Sequence, residues 1–369
     1  MIFSKILSPK KFLGIDIGTA NIKLVELSGR GERKKLENYG EIKAEAIYEK
    51  PFRTFEKNTL LLSNQDIARA IRAIMEEAKI KTRHCVFSIP DFSSFFTNFE
   101  LPSMTKEEID QAVVYEARQH IPLPLGEVTL DWEVVGGKVS DREKTKLKIL
   151  LVAVPNEVIN QYQAIAKLCG LRLMALEAEV FGLLRSLIVA DESRTVTIVD
   201  IGAQTTTCSI IDKRVLKLSN SFDLSGDDLT ERVAKGLSID YTAAQKLKEK
   251  YGLEDIPLPS ANISDSSSAK SVKEILLPLV YAIFREVEKI SRNFYQTENK
   301  EIQKFIIAGG ASLMPGLRKY FEGYLKKETE IANPFSTIFC PPILEKTLKE
   351  MGPAYAIAVG MALRGFERT

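Results

Sequence analysis

Phe12-Leu13-Gly14-Ile15-Asp16-Ile17-Gly18-Thr19-Ala20-Asn21-Ile22-Lys23-Leu24-Val25-Glu26-Leu27 reads as strand, tight turn and strand. Residues 12–17 are apolar apart from Gly14 and Asp16, and Ile22, Leu24, Val25 and Leu27 resume the pattern. The turn holds a carboxylate, a glycine and small or hydroxylic residues. Glycine tolerates positive φ and lets a ligand approach the backbone. Successive N–H groups in such a turn form a concave anion site. Asp16, an acceptor only, is placed to hold a hydrated cation beside that anion. Lys23 follows as a cationic contact. Taken alone, Asp-x-Gly between apolar runs is an ordinary hairpin.

The pattern returns at Thr197-Ile198-Val199-Asp200-Ile201-Gly202-Ala203-Gln204-Thr205-Thr206-Thr207-Cys208-Ser209-Ile210-Ile211, with Asp200 over Asp16 and Gly202 over Gly18. A repeat at this distance implies a duplicated unit, with two hairpins facing across a cleft. They would clamp one polyphosphate, and the two carboxylates would share one divalent ion. A third stretch, Phe305-Ile306-Ile307-Ala308-Gly309-Gly310-Ala311-Ser312-Leu313-Met314-Pro315-Gly316-Leu317, reads as a buried strand, two glycines and a helix start. The glycines offer a flat backbone for a purine ring, and the helix N-terminus a partial positive charge for phosphate.

The chain has 369 residues, too many for one core, so two or more domains are expected. Hydrophobic residues at 45% and charged residues at 27% fit a globular protein, and a net charge of +2 argues against nucleic-acid binding. Cys85, Cys169, Cys208 and Cys340 lack metal-ligand spacing and read as reduced core cysteines. The apolar part of residues 1–11 is too short for a signal or a membrane span, so direct membrane insertion is not expected.

Between the repeats, Ser63 opens a helix with Ile67, Ala70, Ile71 and Ile74 at helical spacing. Residues 84–99 are β-like and end in an aromatic run, Phe92, Phe95, Phe96 and Phe99, expected in a core. Thr105 with Glu108 makes a capping box. Strands follow at 128–135 and 146–154, then a helix capped by Asn156 and stopped by Gly170. These elements form an inserted α+β unit of about 80 residues. Residues 48–59 look irregular, and 256–271, rich in Pro, Ser, Asn and Ala, is expected to be a mobile loop. A long amphipathic helix follows with Ile275, Ile283, Val287, Ile290 and Phe294 on one face. The terminal Ala354-Tyr355-Ala356-Ile357-Ala358-Val359-Gly360-Met361-Ala362 suits close helix packing.

Three loops in this order resemble the actin-like ATPase superfamily, which includes actin, Hsp70 chaperones, sugar kinases and bacterial filament proteins. Asp16-Ile17-Gly18-Thr19 with Lys23, Asp200-Ile201-Gly202 with Thr205 and Thr206, and Ala308-Gly309-Gly310 with Pro315-Gly316-Leu317 carry the likeness. It implies an α/β, actin-like (ribonuclease H-like) two-domain fold with an inserted α+β subdomain of the 1C or SHS2 type. Domain 1A would hold residues 1–91 and 172–193, with the helix 353–369 packed back on it. The insertion would be 92–171 and the second domain 194–352. The resemblance further implies ATP and magnesium as cofactors. Nucleotide contacts would come from Asp16, Gly18, Thr19, Ala20, Asn21 and Lys23, then Asp200, Gly202, Ala203, Thr205 and Thr206, then Gln245 and Lys248, and last Gly309, Gly310 and Ser312. Asp16 and Asp200 would hold magnesium through water, and Glu179 stands where the superfamily has a residue near the attacking water. Ala203 and Gln204 replace glycines of the superfamily's second loop, and Gln245 replaces a Glu at the ribose. These departures point to binding with slow or no hydrolysis.

Within the superfamily the chain resembles the PilM family of type IV pilus assembly proteins, relatives of FtsA. Ser88-Ile89-Pro90, Leu101-Pro102-Ser103-Met104-Thr105, Glu116-Ala117-Arg118-Gln119-His120-Ile121-Pro122 and Leu130-Asp131-Trp132-Glu133-Val134 carry this. It implies a cytoplasmic adaptor, peripheral at the inner membrane through its partners. The adaptor would bind the cytoplasmic N-terminal tail of a PilN-like membrane protein between domain 1A and the insertion. Other platform proteins and further copies of the chain are additional candidate partners. Two alternatives are an FtsA-like division protein, which would need an amphipathic membrane helix beyond Arg364-Gly365-Phe366-Glu367-Arg368-Thr369, and a small-molecule kinase, for which no second-substrate motif stands out.

Overall fold

The computed structural model of the chain describes residues 10–44, 55–56, 59–60, 62–137, 146–255 and 271–367. Residues 256–270 of the loop expected at 256–271 and most of the irregular stretch at 48–59 lie outside the described residues, and Ser271 caps the helix that follows.

The opening hairpin forms as expected: β1 (Lys10–Ile17) and β2 (Asn21–Arg30) pair antiparallel, with Asp16 opposite Lys23. β3 (Arg33–Lys43) continues the meander. After two short paired strands, β4 (Phe55–Glu56) and β5 (Thr59–Leu60), comes helix α1 (Asn64–Glu77), capped by Ser63. β6 (His84–Ile89) then lies parallel to β1. Leu13, Ile15 and Ile17 point into a core shared with Ile67, Ile71 and Ile74 of α1. Val25 and Leu27 point to the opposite face and a second core. Burial on both faces explains why these strands read as nearly continuous apolar runs.

An inserted unit follows. A turn at Asp91–Ser93 leads to β7 (Phe95–Leu101) and α2 (Lys106–His120), which has the expected capping box. β8 (Val128–Gly136) and β9 (Leu147–Pro155) complete an antiparallel sheet in the order β7-β9-β8. Phe99, Ile109, Val113 and Ile149 give it a core of its own. The aromatic run divides among three cores: Phe92 packs on the first sheet, Phe95 and Phe99 in the insertion, and Phe96 near Phe181 at 6.4 Å.

The helix after β9 departs from expectation. α3 (Asn156–Leu168) buries Tyr162, Ile165 and Ala166 in the first sheet's core beside α1, so it covers that sheet rather than the insertion. β10 (Arg172–Ala178) then pairs parallel with β6 and completes the order β10-β6-β1-β2-β3. Periodicity identifies a buried face but not what buries it. Asn156 is also not the cap: it is the first helical residue, and its amide oxygen accepts from Thr129 at 2.8 Å while its nitrogen donates to Gly126.

α4 (Glu179–Leu187) leads to the second half. β11 (Thr195–Ile201), β12 (Thr206–Asp212) and β13 (Val215–Phe222) form a second antiparallel meander. Helices α5 (Gly226–Leu237), α6 (Tyr241–Tyr251) and α7 (Val272–Glu298) follow. β14 (Lys304–Ala308), α8 (Leu317–Leu325) and β15 (Glu328–Ile331) close the sheet. Its order, β13-β12-β11-β14-β15, and its strand directions repeat those of the first sheet. The repeat read from two hairpins is therefore a repeat of whole sheets.

The halves meet through α4 and the last helix, α9 (Glu345–Arg364). α9 lies on the first sheet, where a Cβ on Gly14 would stand 2.0 Å from the Ala358 carbonyl oxygen. α4 lies on the second sheet, where Val180 and Leu183 join Val196 and Ile198. A Cβ on Gly360 would stand 2.0 Å from the Gly182 carbonyl oxygen, so the two backbones touch. Gly360→Ala is expected to lower stability by about 2–3 kcal/mol. Gly323→Ala in α8, where nothing lies within 4 Å of the added carbon, is expected to raise it by about 0.5–1 kcal/mol. Urea midpoints of the two variants check both signs. No described helix is long and apolar enough to cross a membrane.

Candidate functional site

The two hairpin turns are built alike. Gly18 N–H donates to the Asn21 carbonyl at 3.1 Å, and Gly202 N–H to the Thr205 carbonyl at 3.0 Å. Asp16 and Asp200 each sit two residues before the turn glycine, near the end of the central strand of their sheets. Between the halves lies a cleft of about 580 Å³, a usual size for a small-molecule site. Thr19, Ala20 and Asn21 line it from the first hairpin, Gly202 and Ala203 from the second, Gln245 and Lys248 from α6, and Gly310 from the third loop.

Behind this wall the carboxylates gather. Asp16 is buried, accepts from Ser88 Oγ at 2.9 Å and faces the Lys23 ammonium at 3.9 Å. Burial pushes its pKa up, against the pull of Lys23 and Ser88. Asp200 is raised to about 6 by burial and then by Asp16. Glu179 is raised well above the usual carboxylate range by burial and by Asp16, Asp91 and Asp200. Asp91, which sequence reasoning missed, is raised to about 7 by burial and the nearby Asp200. Four carboxyl groups thus confront one another with Lys23 as the cation beside Asp16. Among the described residues no three acidic, His or Cys side chains are close enough to ligate one ion directly. Carboxylates are the donor type that a hydrated magnesium takes, and Asp16 and Asp200 present one from each hairpin strand.

The third loop differs from the sequence expectation. Gly309 is buried at φ +85°, and a Cβ there would stand 2.5 Å from the Asp200 carboxylate, so this glycine lets the loop approach Asp200. Of the two glycines Gly310 lines the cleft, with Ala311, Leu313 and Met314 after it. A short 3₁₀ turn, Gly310–Leu313, follows, and the α-helix begins seven residues later at Leu317, so no helix N-terminus sits on the glycine pair.

Several candidate side chains support the site from behind. Lys248 Nζ donates to the Gly226 carbonyl at 2.8 Å and to Thr230 Oγ1 at 2.6 Å. Thr206 Oγ1 donates to the Leu224 carbonyl, and Ser312 Oγ to the Gly309 carbonyl at 2.7 Å. Gln245 lines the cleft while its amide donates to Glu249 at 2.9 Å. Asp227, Glu231, Tyr241 and Leu313 also line the cleft. Leu313 comes with the third loop, whereas Asp227, Glu231 and Tyr241 follow no motif and only the folding of α5 and α6 brings them there.

A protein-family profile described as "Type IV pilus assembly protein PilM" matches residues 14–366. Among solved structures, one described as a "PilM-PilN type IV pilus biogenesis complex" is similar at 24% identity, over 96% of this chain and 98% of that one, with a TM-score of 0.82. MreB5 of Spiroplasma citri bound to AMPPNP is similar at 14% identity, over 97% and 96% of the two chains, with a TM-score of 0.55. These likenesses show the actin-like fold. Cell division protein FtsA of Staphylococcus epidermidis is 21% identical over 204 residues, 52% of this chain and 44% of that protein. The chain thus spans less than half the length of that curated relative.

Proposed function

Because the chain belongs to the family of the type IV pilus assembly protein PilM, we propose that it works as a nucleotide-binding adaptor of the pilus assembly platform. ATP with magnesium would occupy the cleft. The cytoplasmic N-terminal tail of a PilN-like inner-membrane protein would bind between the first half and the insertion and hold the chain at the membrane's cytoplasmic side. One observation carries the nucleotide reading: two equivalent hairpins close on one carboxylate cluster. The likeness to a chain solved with PilN supports the partner.

Magnesium supplies the charge that neutralises a triphosphate. Asp16 and Asp200 would hold its waters, and Lys23 with the amides of both turns would meet phosphate oxygens. Glu179 would orient a water near the terminal phosphate. Burial and its neighbours favour the protonated form of Glu179, which accepts a water's proton poorly. Ala203 and Gln204, standing where the superfamily has glycines, restrict the backbone's approach to phosphate and support holding nucleotide more than cutting it.

A labelled peptide copying the tail of the PilN-like protein from the same organism tests the adaptor reading. Saturable, micromolar binding is expected, strengthened by ATP and magnesium. Absence of saturation at about 1 mM peptide with both present would refute it.

A further inference from the structure

Asp91 takes no part in the phosphate or cation contacts above, yet it is tied to Glu179. β6 and β10 run parallel with Ile89 opposite Ala178, so the segments that follow them meet at one end of the sheet. α4 begins there at Glu179, and its N-cap, Ala178, has no side-chain acceptor. The open N–H groups of a helix start must be met from elsewhere. Asp91 Oδ1 accepts from Val180 N–H at 3.2 Å, and Glu179 Oε2 accepts from Asp91 N–H at 3.3 Å. Two segments far apart in sequence thus exchange the hydrogen bonds of a capping box.

A cap alone does not call for this residue. Asp91 is 5% exposed, and its Oδ2 is buried with no hydrogen-bond partner among the described residues. A buried carboxylate with an unsatisfied oxygen is costly, and a neutral acceptor would cap α4 with less penalty. Its position points to the site instead: Ser88, on the strand that ends just before it, donates to Asp16 at 2.9 Å, and its own N–H donates to Glu179. The backbone is also fixed here, since the Asp91 carbonyl accepts from Ser94 N–H at 3.1 Å and the Pro90 carbonyl from Ser93 N–H at 2.9 Å.

Resting on the nucleotide reading above, we infer that Asp91 is a positioning residue that, through its side-chain bond from Val180 N–H and its backbone bond to Glu179, aims the Glu179 carboxyl at the water beside the terminal phosphate of a bound nucleoside triphosphate. ATP should lose this water-mediated contact when the aim is lost, and ADP, without the terminal phosphate, should not.

The experiment is calorimetric titration of the full chain with ATP and ADP in magnesium. Asp91→Ala is expected to cut the preference for ATP over ADP about tenfold, with ADP affinity kept within about twofold. Asp91→Asn keeps an acceptor for Val180 and is expected to hold the preference within about threefold of the unaltered chain. Glu179→Gln should lower the preference too, and adding Asp91→Ala to it should cost nothing further. If Asp91→Ala does not fold, Asp91→Glu, which keeps the charge but moves the acceptor by one methylene, is read in its place with the same loss expected. An unchanged ATP preference in the folded variant, or an additive loss in the double variant, overturns the positioning role alone. An unaltered chain that binds neither nucleotide overturns the nucleotide reading and this role with it.

Discussion

Asp16→Ala is expected to weaken magnesium-dependent ATP binding by about 100-fold while the chain stays folded. Asp16 is placed to bridge the halves electrostatically: it faces Lys23 on its own hairpin and shifts Asp200 on the other. Without it, a hydrated cation would keep Asp200 but lose the carboxylate on the first half. The fold should survive because the buried carboxyl is held against its own desolvation, which raises its pKa despite two favourable partners. The losses are the 3.9 Å ion pair with Lys23 and one hydrogen bond from Ser88, the latter about 1 kcal/mol, and the relief of desolvation offsets them. Calorimetry with and without magnesium, alongside circular dichroism, reads both effects. Normal ATP affinity in a folded variant would end the shared-cation reading.

The nucleotide-free chain should become more stable as pH falls from 7 towards 4, which reverses ordinary acid destabilisation in that window. Asp91 and Asp200, at about 7 and about 6, both lie above the ordinary carboxylate value of 3.8. Between pH 4 and 7 the folded state therefore binds protons that the unfolded state does not, and falling pH favours the fold. The gain is on the order of 3 kcal/mol. Magnesium with ATP should flatten the slope, because a cation among the carboxylates favours their ionised forms. Urea unfolding at stepped pH, with and without the ligand, checks this. Equal slopes in the two conditions would mean that the cation does not reach the cluster.

How far residue order alone carries differs from element to element. The two Asp-x-Gly hairpins were legible because their closing hydrogen bonds span only three residues, Gly18 to Asn21 and Gly202 to Thr205. The capping box at Thr105 and the stop at Gly170 are local for the same reason. The repeat of two such hairpins already implied a duplicated unit, and the matched sheet orders show one. Other features needed the folded chain. Helical periodicity in α3 announced a buried face, but only the sheet's topology placed that face against α1. Lys248, Thr206 and Ser312 match positions that resemblance ties to a ligand, yet each donates to a nearby carbonyl, and Lys248 to the Thr230 hydroxyl as well, because a polar atom that becomes buried must find a partner. Asp91 is the clearest case: nothing in Pro90-Asp91-Phe92 marks it, and its meaning comes from Glu179 and Val180, which parallel pairing of β6 with β10 brings beside it. Turns and caps are settled by neighbours along the chain. The charge of the site is settled by groups that only the packed sheets bring together.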